Sequence, residues 1–463
     1  MRARLLRLLL VPALLVALLP ARGAPPPLVL VSIDGFHPEY VARGHSPTLH
    51  RLANAGTHAR RMLPAFPSLT FPNHYTQVTG LDPDQHGIVH NTMVDPGLAD
   101  EFSLSNRAAV GDGRWWGGVP VWVSAERAGL RTAPLFWPGS EAEIAGVRPH
   151  LWRPYDQRML PGARVDEVLA WLDRPPSERP AFMTLYFDLV DTVGHAEGPR
   201  STRLDAALAA IDRALARLVD GLAARGMLDA VNLVLVSDHG MAATSPQRVV
   251  RLDAIVDRKD VVVRYWGTVV PVEPAAGRAA TVARALVGRH RGMRCWRKQD
   301  LPTRFRYGRH QRVAPFVCLA DPGWLIADAG WIERNRDWRG GGAHGYDNAA
   351  PSMRALFVAH GPAFRRATVV DEIEARDVYG VLMGALSLPP ETPLASPDRV
   401  AAVLAPPAVA LARDGGQPPV RLRRGCRVDR AGMRAPVPAA ARHGGCRPHA
   451  ADAMPASAPS TGR

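Results

Sequence analysis

Along this chain, unbroken apolar runs stop abruptly at acids. "PLVLVSIDG" ends at Asp34-Gly35, "AFMTLYFDLVD" at Asp188 and Asp191, and "VNLVLVSDHG" at Asp238-His239-Gly240. Short runs that are apolar at every position predict strands buried on both faces. "MRALFVAHGPAF" is a fourth of the same texture. Elsewhere the apolar spacing changes to three and four. From about Ser201 to Arg225, Leu204, Leu208, Ile211, Leu215, Leu218 and Leu222 predict one long amphipathic helix, with Asp205 and Asp212 solvated. "SPTLHRLANAG" predicts a shorter helix, with Ser46 as its cap, Pro47 in its first turn and Gly56 as its stop. Strands of this kind alternating with helices predict an α/β fold, a mostly parallel central sheet flanked by helices.

Two stretches depart from that rhythm. Between about residues 247 and 337, "DVVVRYWGTVVPVEP", a helix-like "AATVARALVGRH" and "FRYGRHQRVAPFVCLADPGWLI" predict a small α+β insertion. From residue 406 to 463 the chain is rich in Pro, Ala, Arg and Gly without periodicity, and is read as a disordered tail. The opening "MRARLLRLLLVPALLVALLPARGA" places arginines before an apolar run and small residues after it, the pattern of a signal peptide over residues 1–23. The run Leu8–Leu19 is short for a membrane span. No permanent span is therefore expected after its removal, and the chain is predicted to be exported, to a periplasm or outside the cell.

Charge alters the picture less than its total implies. The formal net charge is +14 over 463 residues, but four arginines lie in the leader, and residues 413–463 carry ten Arg against three Asp. About +3 is left for everything between, so stable nucleic-acid binding is not expected. The four cysteines, Cys295, Cys318, Cys426 and Cys446, are too few for a disulfide scaffold. In an oxidising compartment Cys295 with Cys318 and Cys426 with Cys446 could pair.

Candidate chemistry gathers where the strands end. In open α/β sheets, ligands bind in the crevice outside the carboxyl ends of the strands. Asp191 and His195 in "DLVDTVGHAEGP", Asp238-His239 in "SDHGM" and His344 in "GGAHGYDN" are mixed carboxylate and imidazole donors, a set that suits zinc. The glycines around His344 allow close backbone approach to something bound. In "MLPAFPSLTFPNHYTQVTG", Thr70 precedes Pro72 at the start of a helical pattern. Its hydroxyl either caps that helix or faces an anion held on the helix N-terminus. His74, one turn on, is read as a packing group behind the ligands, and Asp188 as a structural hydrogen-bonding group.

"SIDGF", "PSLTFPNHYTQVTGLDPDQHGIVHNTM", "FWPGSE", "DTVGHAEGP", "LVLVSDHGM" and "AHGYDN" occur in that order. Together they resemble the nucleotide pyrophosphatase/phosphodiesterase family of the alkaline phosphatase superfamily, over about Leu28 to Leu404. The resemblance implies a catalytic domain over residues 28–405 and two zinc ions. One would be held by Asp191, His195 and His344, the other by Asp34, Asp238, His239 and the Thr70 hydroxyl. It implies Thr70 as nucleophile. Asn91 and the backbone N–H of Phe71 would bind a phosphoryl oxygen, and a nucleobase would stack between Phe71 and Tyr186, with Trp137 as a further wall. The expected reaction is hydrolysis of nucleotide phosphodiester and pyrophosphate bonds through a phosphothreonine intermediate. A lipid or choline-type phosphodiesterase on the same two-metal site is the alternative.

Overall fold

Seven strands build the central sheet of the computed structural model, which describes residues 25–406 save Ala99 and Pro393. The predicted leader, the predicted tail beyond residue 406, and with it Cys426 and Cys446, lie outside the described residues. In chain order the strands are β1 (Leu28–Ile33), β2 (Thr57–Leu63), β3 (Thr132–Pro134), β4 (Phe182–Phe187), β5 (Asn232–Val236), β6 (Phe357–His360) and β7 (Thr368–Glu374). Their order across the sheet is β7-β2-β6-β5-β1-β4-β3. All neighbours run parallel except β6, which is antiparallel to both β5 and β2. The central trio β5-β1-β4 consists of the three runs that stop at acids, so their polar ends emerge side by side.

Alternation along these strands feeds two cores. Leu28 and Leu30 of β1 join Val234 and Val236 of β5 on one face, with Tyr75 and Val78 of α2 (Thr70–Thr79). Val29, Val31 and Ile33 join Leu233 and Leu235 on the other. That second face is covered by α1 (Pro47–Ala55), α3 (Pro161–Leu172) and α5 (Thr202–Ala224). All six predicted apolar positions of α5 are buried. Each such side chain contributes roughly 1.5–3 kcal/mol of burial.

Asp212 corrects the reading of α5. It is buried, and its carboxylate accepts hydrogen bonds from the N–H groups of Thr48 (3.0 Å) and Leu49 (3.0 Å). It caps α1 from a distant helix. Ser46, expected to do so, makes no capping bond, and its buried hydroxyl has no partner. A carboxylate supplies a stronger acceptor for the free N–H groups of a helix start than a hydroxyl does. Asp205 is half-buried and pairs with Arg43 at 3.3 Å.

Within residues 261–320 lies a separate antiparallel sheet of five strands, in the order Val261–Val262, Val269–Pro274, Phe316–Ala320, Met293–Arg297, Gly288–His290. The helix Ala279–Leu286 packs Val282, Ala283 and Leu286 into its core. Cys295 and Cys318 sit opposite each other across two of these strands and are joined by a disulfide.

A candidate two-metal active site

Three strand ends, one helix start and one short strand deliver the polar groups. Asp34 follows β1, Asp238 and His239 follow β5, and Asp191 and His195 ride on α4 (Leu189–Glu197), which begins just after β4. The segment Gly341–Ala343 pairs antiparallel with Ala242–Thr244, just beyond His239, and so carries His344 back to the same place. The glycines before His344 do serve close approach, but to protein. A Cβ on Gly341 would lie 2.1 Å from the His195 carbonyl oxygen, and one on Gly342 would lie 2.5 Å from that of Gly194. Gly35, at φ +70°, turns the chain out of β1 so that its N–H donates to Asp238 Oδ1 at 3.2 Å.

The donors fall into two groups, Asp191–His195–His344 and Asp34–Asp238–His239, each with donor atoms within 4.8 Å of one another. Each imidazole donates its Nδ1–H to a backbone carbonyl: His195 to Gly342 (2.9 Å), His239 to Gly240 (2.9 Å) and His344 to Ser68 (2.9 Å). That fixes every Nε2 as the free lone pair, the arrangement metal-binding histidines use. The carboxylates are equally telling. Asp34 Oδ1, Asp191 Oδ1 and Asp238 Oδ2 are buried without a hydrogen-bond partner. Buried polar atoms are normally paired, and buried charges are paired or bind metals. Around them, His239 Nε2 is 2.8 Å from Asp238 Oδ2 and 3.5 Å from Asp34 Oδ1. Asp191 lies 3.5 Å from His195 Nε2 and 3.7 Å from His344 Nε2. This donor set fits two divalent cations.

Electrostatics supports the same conclusion. Burial, then the nearby Asp238 and Asp191, push the Asp34 carboxyl well above its usual range, and burial pushes Asp191 up. Burial also works to raise Asp238, but His239 and His74 beside it prevail and hold it low. Burial and the neighbouring His239 and His195 depress His344. Three carboxylates crowded out of water favour a compensating positive charge.

Thr70 opens α2 with its Oγ1 3.4 Å from His239 Nε2. It makes no capping hydrogen bond; Leu69 occupies the cap position. The hydroxyl is therefore left to the site. His74 is fully buried behind it, its Nδ1 donating to the Thr70 carbonyl (2.8 Å) and its Nε2 against Ser32 Oγ (2.8 Å). Asn91 reaches the same helix start, but its Oδ1 accepts the Phe71 N–H at 3.0 Å. That N–H, expected to be open to an anion, is engaged here, and the Asn91 amide NH2 is the group left to donate.

A cleft of about 270 Å³ opens beside Thr70, lined by Asp34, Phe71, Phe136, Trp137, Glu141, Tyr155, Gln157, Tyr186, Asp188 and Asp191 among others. The Phe71 ring packs at 6.0 Å against both Phe102 and Trp116. Trp137 is nearly fully buried and donates its indole N–H to the His74 carbonyl (3.0 Å), so it anchors α2 as well as walling the cleft. Asp188 is held by the buried guanidinium of Arg164 at 2.8 Å, a hydrogen-bonding role as expected. Tyr186 lines the cleft, yet its hydroxyl donates to Asp34 Oδ2 at 2.7 Å. Sequence reading missed Tyr155, Arg164, Glu141 and Ser32. Of these, Ser32 and Glu141 sit within recognised motifs, "SIDGF" and "FWPGSE", but as residues to which no role was given.

The family model "type I phosphodiesterase / nucleotide pyrophosphatase" matches residues 28–347. A venom phosphodiesterase of Crotalus durissus collilineatus is 37% identical over 381 residues, 80% of this chain and 45% of the relative. An uncharacterized pyrophosphatase/phosphodiesterase of Schizosaccharomyces pombe is 35% identical over 377 residues, 78% of this chain and 77% of the relative. The chain thus spans about half the length of the venom relative. Among solved structures, murine ectonucleotide pyrophosphatase/phosphodiesterase 5, as an inactive threonine-to-alanine variant in complex with AMP, superposes with a TM-score of 0.77 at 32% identity. It covers 82% of this chain and 100% of that one. The human counterpart gives 0.77 at 31%, covering 82% and 99%.

Proposed function

The chain belongs to the type I phosphodiesterase/nucleotide pyrophosphatase family of the alkaline phosphatase superfamily, and on that premise we propose that it is an exported, zinc-dependent phosphodiesterase. Its substrates are nucleotide diesters and nucleoside triphosphates, the latter yielding monophosphate and pyrophosphate. One observation carries the reading: three carboxylates, each with a buried oxygen that accepts no hydrogen bond, and three backbone-oriented imidazoles gather in two groups, with the Thr70 hydroxyl 3.4 Å from His239 Nε2 of one of them.

Asp191, His195 and His344 would hold one zinc, and Asp34, Asp238, His239 and Thr70 Oγ1 the other. Bound there, zinc lowers the pKa of a coordinated hydroxyl or water and neutralises charge on the reacting phosphoryl group. The protein's own groups do the rest. Thr70, fixed at the start of α2, is aimed at phosphorus where the helix N-terminus favours an anion. Its oxygen forms the new bond as the ester or pyrophosphate oxygen leaves, giving a phosphothreonine intermediate that water then cleaves. Asn91 Nδ2 donates to a phosphoryl oxygen. The base lies on Phe71, with Tyr186 or Tyr155 across the cleft, where stacking tolerates any nucleobase. The AMP bound by murine ectonucleotide pyrophosphatase/phosphodiesterase 5 supports a nucleotide in this cleft. The disulfide Cys295–Cys318 supports export. No helix of the described residues is long and apolar enough to cross a membrane.

One observation favours a second reading. Phe71, Phe136, Trp137, Tyr155 and Tyr186 line the cleft with aromatic rings, chemistry that also suits a choline-type cation. Comparing turnover of ATP, a choline phosphodiester and a phosphomonoester on the purified zinc-loaded chain decides the matter. Faster nucleotide turnover is expected. Preference for the choline ester would replace the primary reading, and turnover of the monoester alone would overturn both.

A further inference from the structure

The structure assigns Tyr186 a different task from stacking: its hydroxyl is a positioning group that turns the Asp34 carboxylate toward the metal held with Asp238 and His239. This rests on the two-metal reading above. The register of the sheet makes the contact possible. β4 runs parallel to β1 with Tyr186 opposite Ser32, and Asp34 lies two residues further on, so both side chains leave the same face at the carboxyl end of the sheet. From there the phenol reaches Asp34 Oδ2 at 2.7 Å. The two carboxylate oxygens then have different fates. Oδ2 is taken by Tyr186, while Oδ1 is buried, unpartnered and 3.5 Å from His239 Nε2. The hydroxyl decides which oxygen is presented.

The ring is fixed for that task. It meets His74 edge-on at 5.4 Å and Tyr155 edge-on at 6.0 Å, and the backbone carbonyl of Tyr186 accepts from the buried Arg164 at 2.9 Å. His74 in turn bonds Ser32 and the Thr70 carbonyl, so the ring is wedged between the sheet and the nucleophile's helix. Without the hydroxyl, Oδ2 would be left buried and unpaired and the carboxylate free to rotate. Groups that orient metal ligands in this way typically change metal affinity by about 10–100-fold when removed.

One atom separates positioning from stacking. Tyr186→Phe keeps the ring and loses the hydroxyl, whereas Tyr186→Leu loses both. Zinc affinity of each purified full-length chain is measured by competition with a chromogenic chelator, beside kcat/KM for a nitrophenyl nucleotide ester and a methyl nitrophenyl phosphate. For Tyr186→Phe, one of two zinc ions is expected to bind about 10–100-fold more weakly, with the ratio of the two esters as in the parent chain. In an Asp34→Ala background the same substitution should leave zinc affinity unchanged, an outcome that a general loss of structure would not produce. Parent-like zinc binding by Tyr186→Phe overturns the assignment, whether or not Tyr186→Leu loses the nucleotide preference. A zinc loss that persists in the Asp34→Ala background overturns it too. Zinc titration does not depend on substrate class. A parent chain that binds two zinc ions but ignores nucleotides would therefore defeat the proposed function and leave this assignment standing.

Discussion

The ligand ring and the cleft beside it share a wall but are built by opposite means. Asp34, Asp238, Asp191 and His195 hang from the ends of three adjacent strands or the helix that follows one of them, and every histidine of the ring is braced by a backbone carbonyl. The cleft takes Phe136, Glu141, Tyr155 and Gln157 from the long connection between β3 and α3, where hydrogen bonds are scattered and no repeating pattern holds the chain. The difference teaches where chemistry and selectivity reside. Groups that must converge to within a fraction of an ångström are mounted on the sheet. Groups that select a substrate sit on a connection free to vary.

The sharpest way to break that division is to remove the hydroxyl that stands beside the ligand ring. Thr70→Ala is expected to lower turnover of a nitrophenyl nucleotide ester by at least about 10³-fold while zinc still binds, because a nucleophile cannot be replaced by its neighbours. Near-normal turnover would put the nucleophile elsewhere. Next in size is His344→Ala. The Asp191–His195–His344 group should lose zinc affinity by about 100-fold or more, with activity recovered only at high zinc, since a lost donor costs at least as much as a lost orienting group. Unchanged affinity, read by chelator competition, would dissolve the group.

The cleft should respond differently. Phe71→Ala is expected to reduce kcat/KM for a nucleotide ester about 10–100-fold more than for a small nitrophenyl phosphonate ester, the worth of one stacked base, with zinc affinity intact. Equal losses on both substrates would mean that Phe71 supports the helix start and not the base. Tyr155→Leu is expected to follow the same pattern with a smaller effect.

The same division explains what could be read from the sequence. β1, β4 and β5 announce themselves because a strand buried on both faces is apolar at every position, and their ends are marked because a buried run can stop on an acid only where something accepts the charge. β2 and β7 went unread. "THARRML" and "TVVDEIE" carry charges that pair across the sheet edge, Arg61 to Glu372 at 2.7 Å, so neither run has the apolar texture of a strand. All seven proposed ligands come together, since motif residues at strand ends inherit the geometry of the sheet. Tyr155 and Arg164 were illegible for the converse reason: their places depend on how a connection folds back, which no local spacing encodes. Tyr186 was legible as a residue but its hydroxyl's contact with Asp34 was not, because a parallel register must be known before that reach can be seen.

The smallest expected effect tests whether the frame and the site are separable at all. Asp212 is a buried carboxylate on α5, a helix packed on the same sheet, but its partners are the Thr48 and Leu49 N–H groups of α1, far in function from any ligand. Asp212→Ala removes a cap, which typically costs about 0.5–2 kcal/mol, and leaves two helix-start N–H groups in a buried place where Ser46 offers no replacement bond. Thermal or denaturant unfolding should register that loss, while kcat and zinc affinity of the folded fraction stay at parent values. The reason is geometric. α1 packs Leu49 and Leu52 on the face of the sheet that holds Val29, Val31 and Ile33, whereas α2, which carries Thr70, packs on the other. A fall in kcat at temperatures where the variant is fully folded would show strain passing through β1 to Asp34, and the sheet would then be a part of the catalytic machinery, not merely its mount.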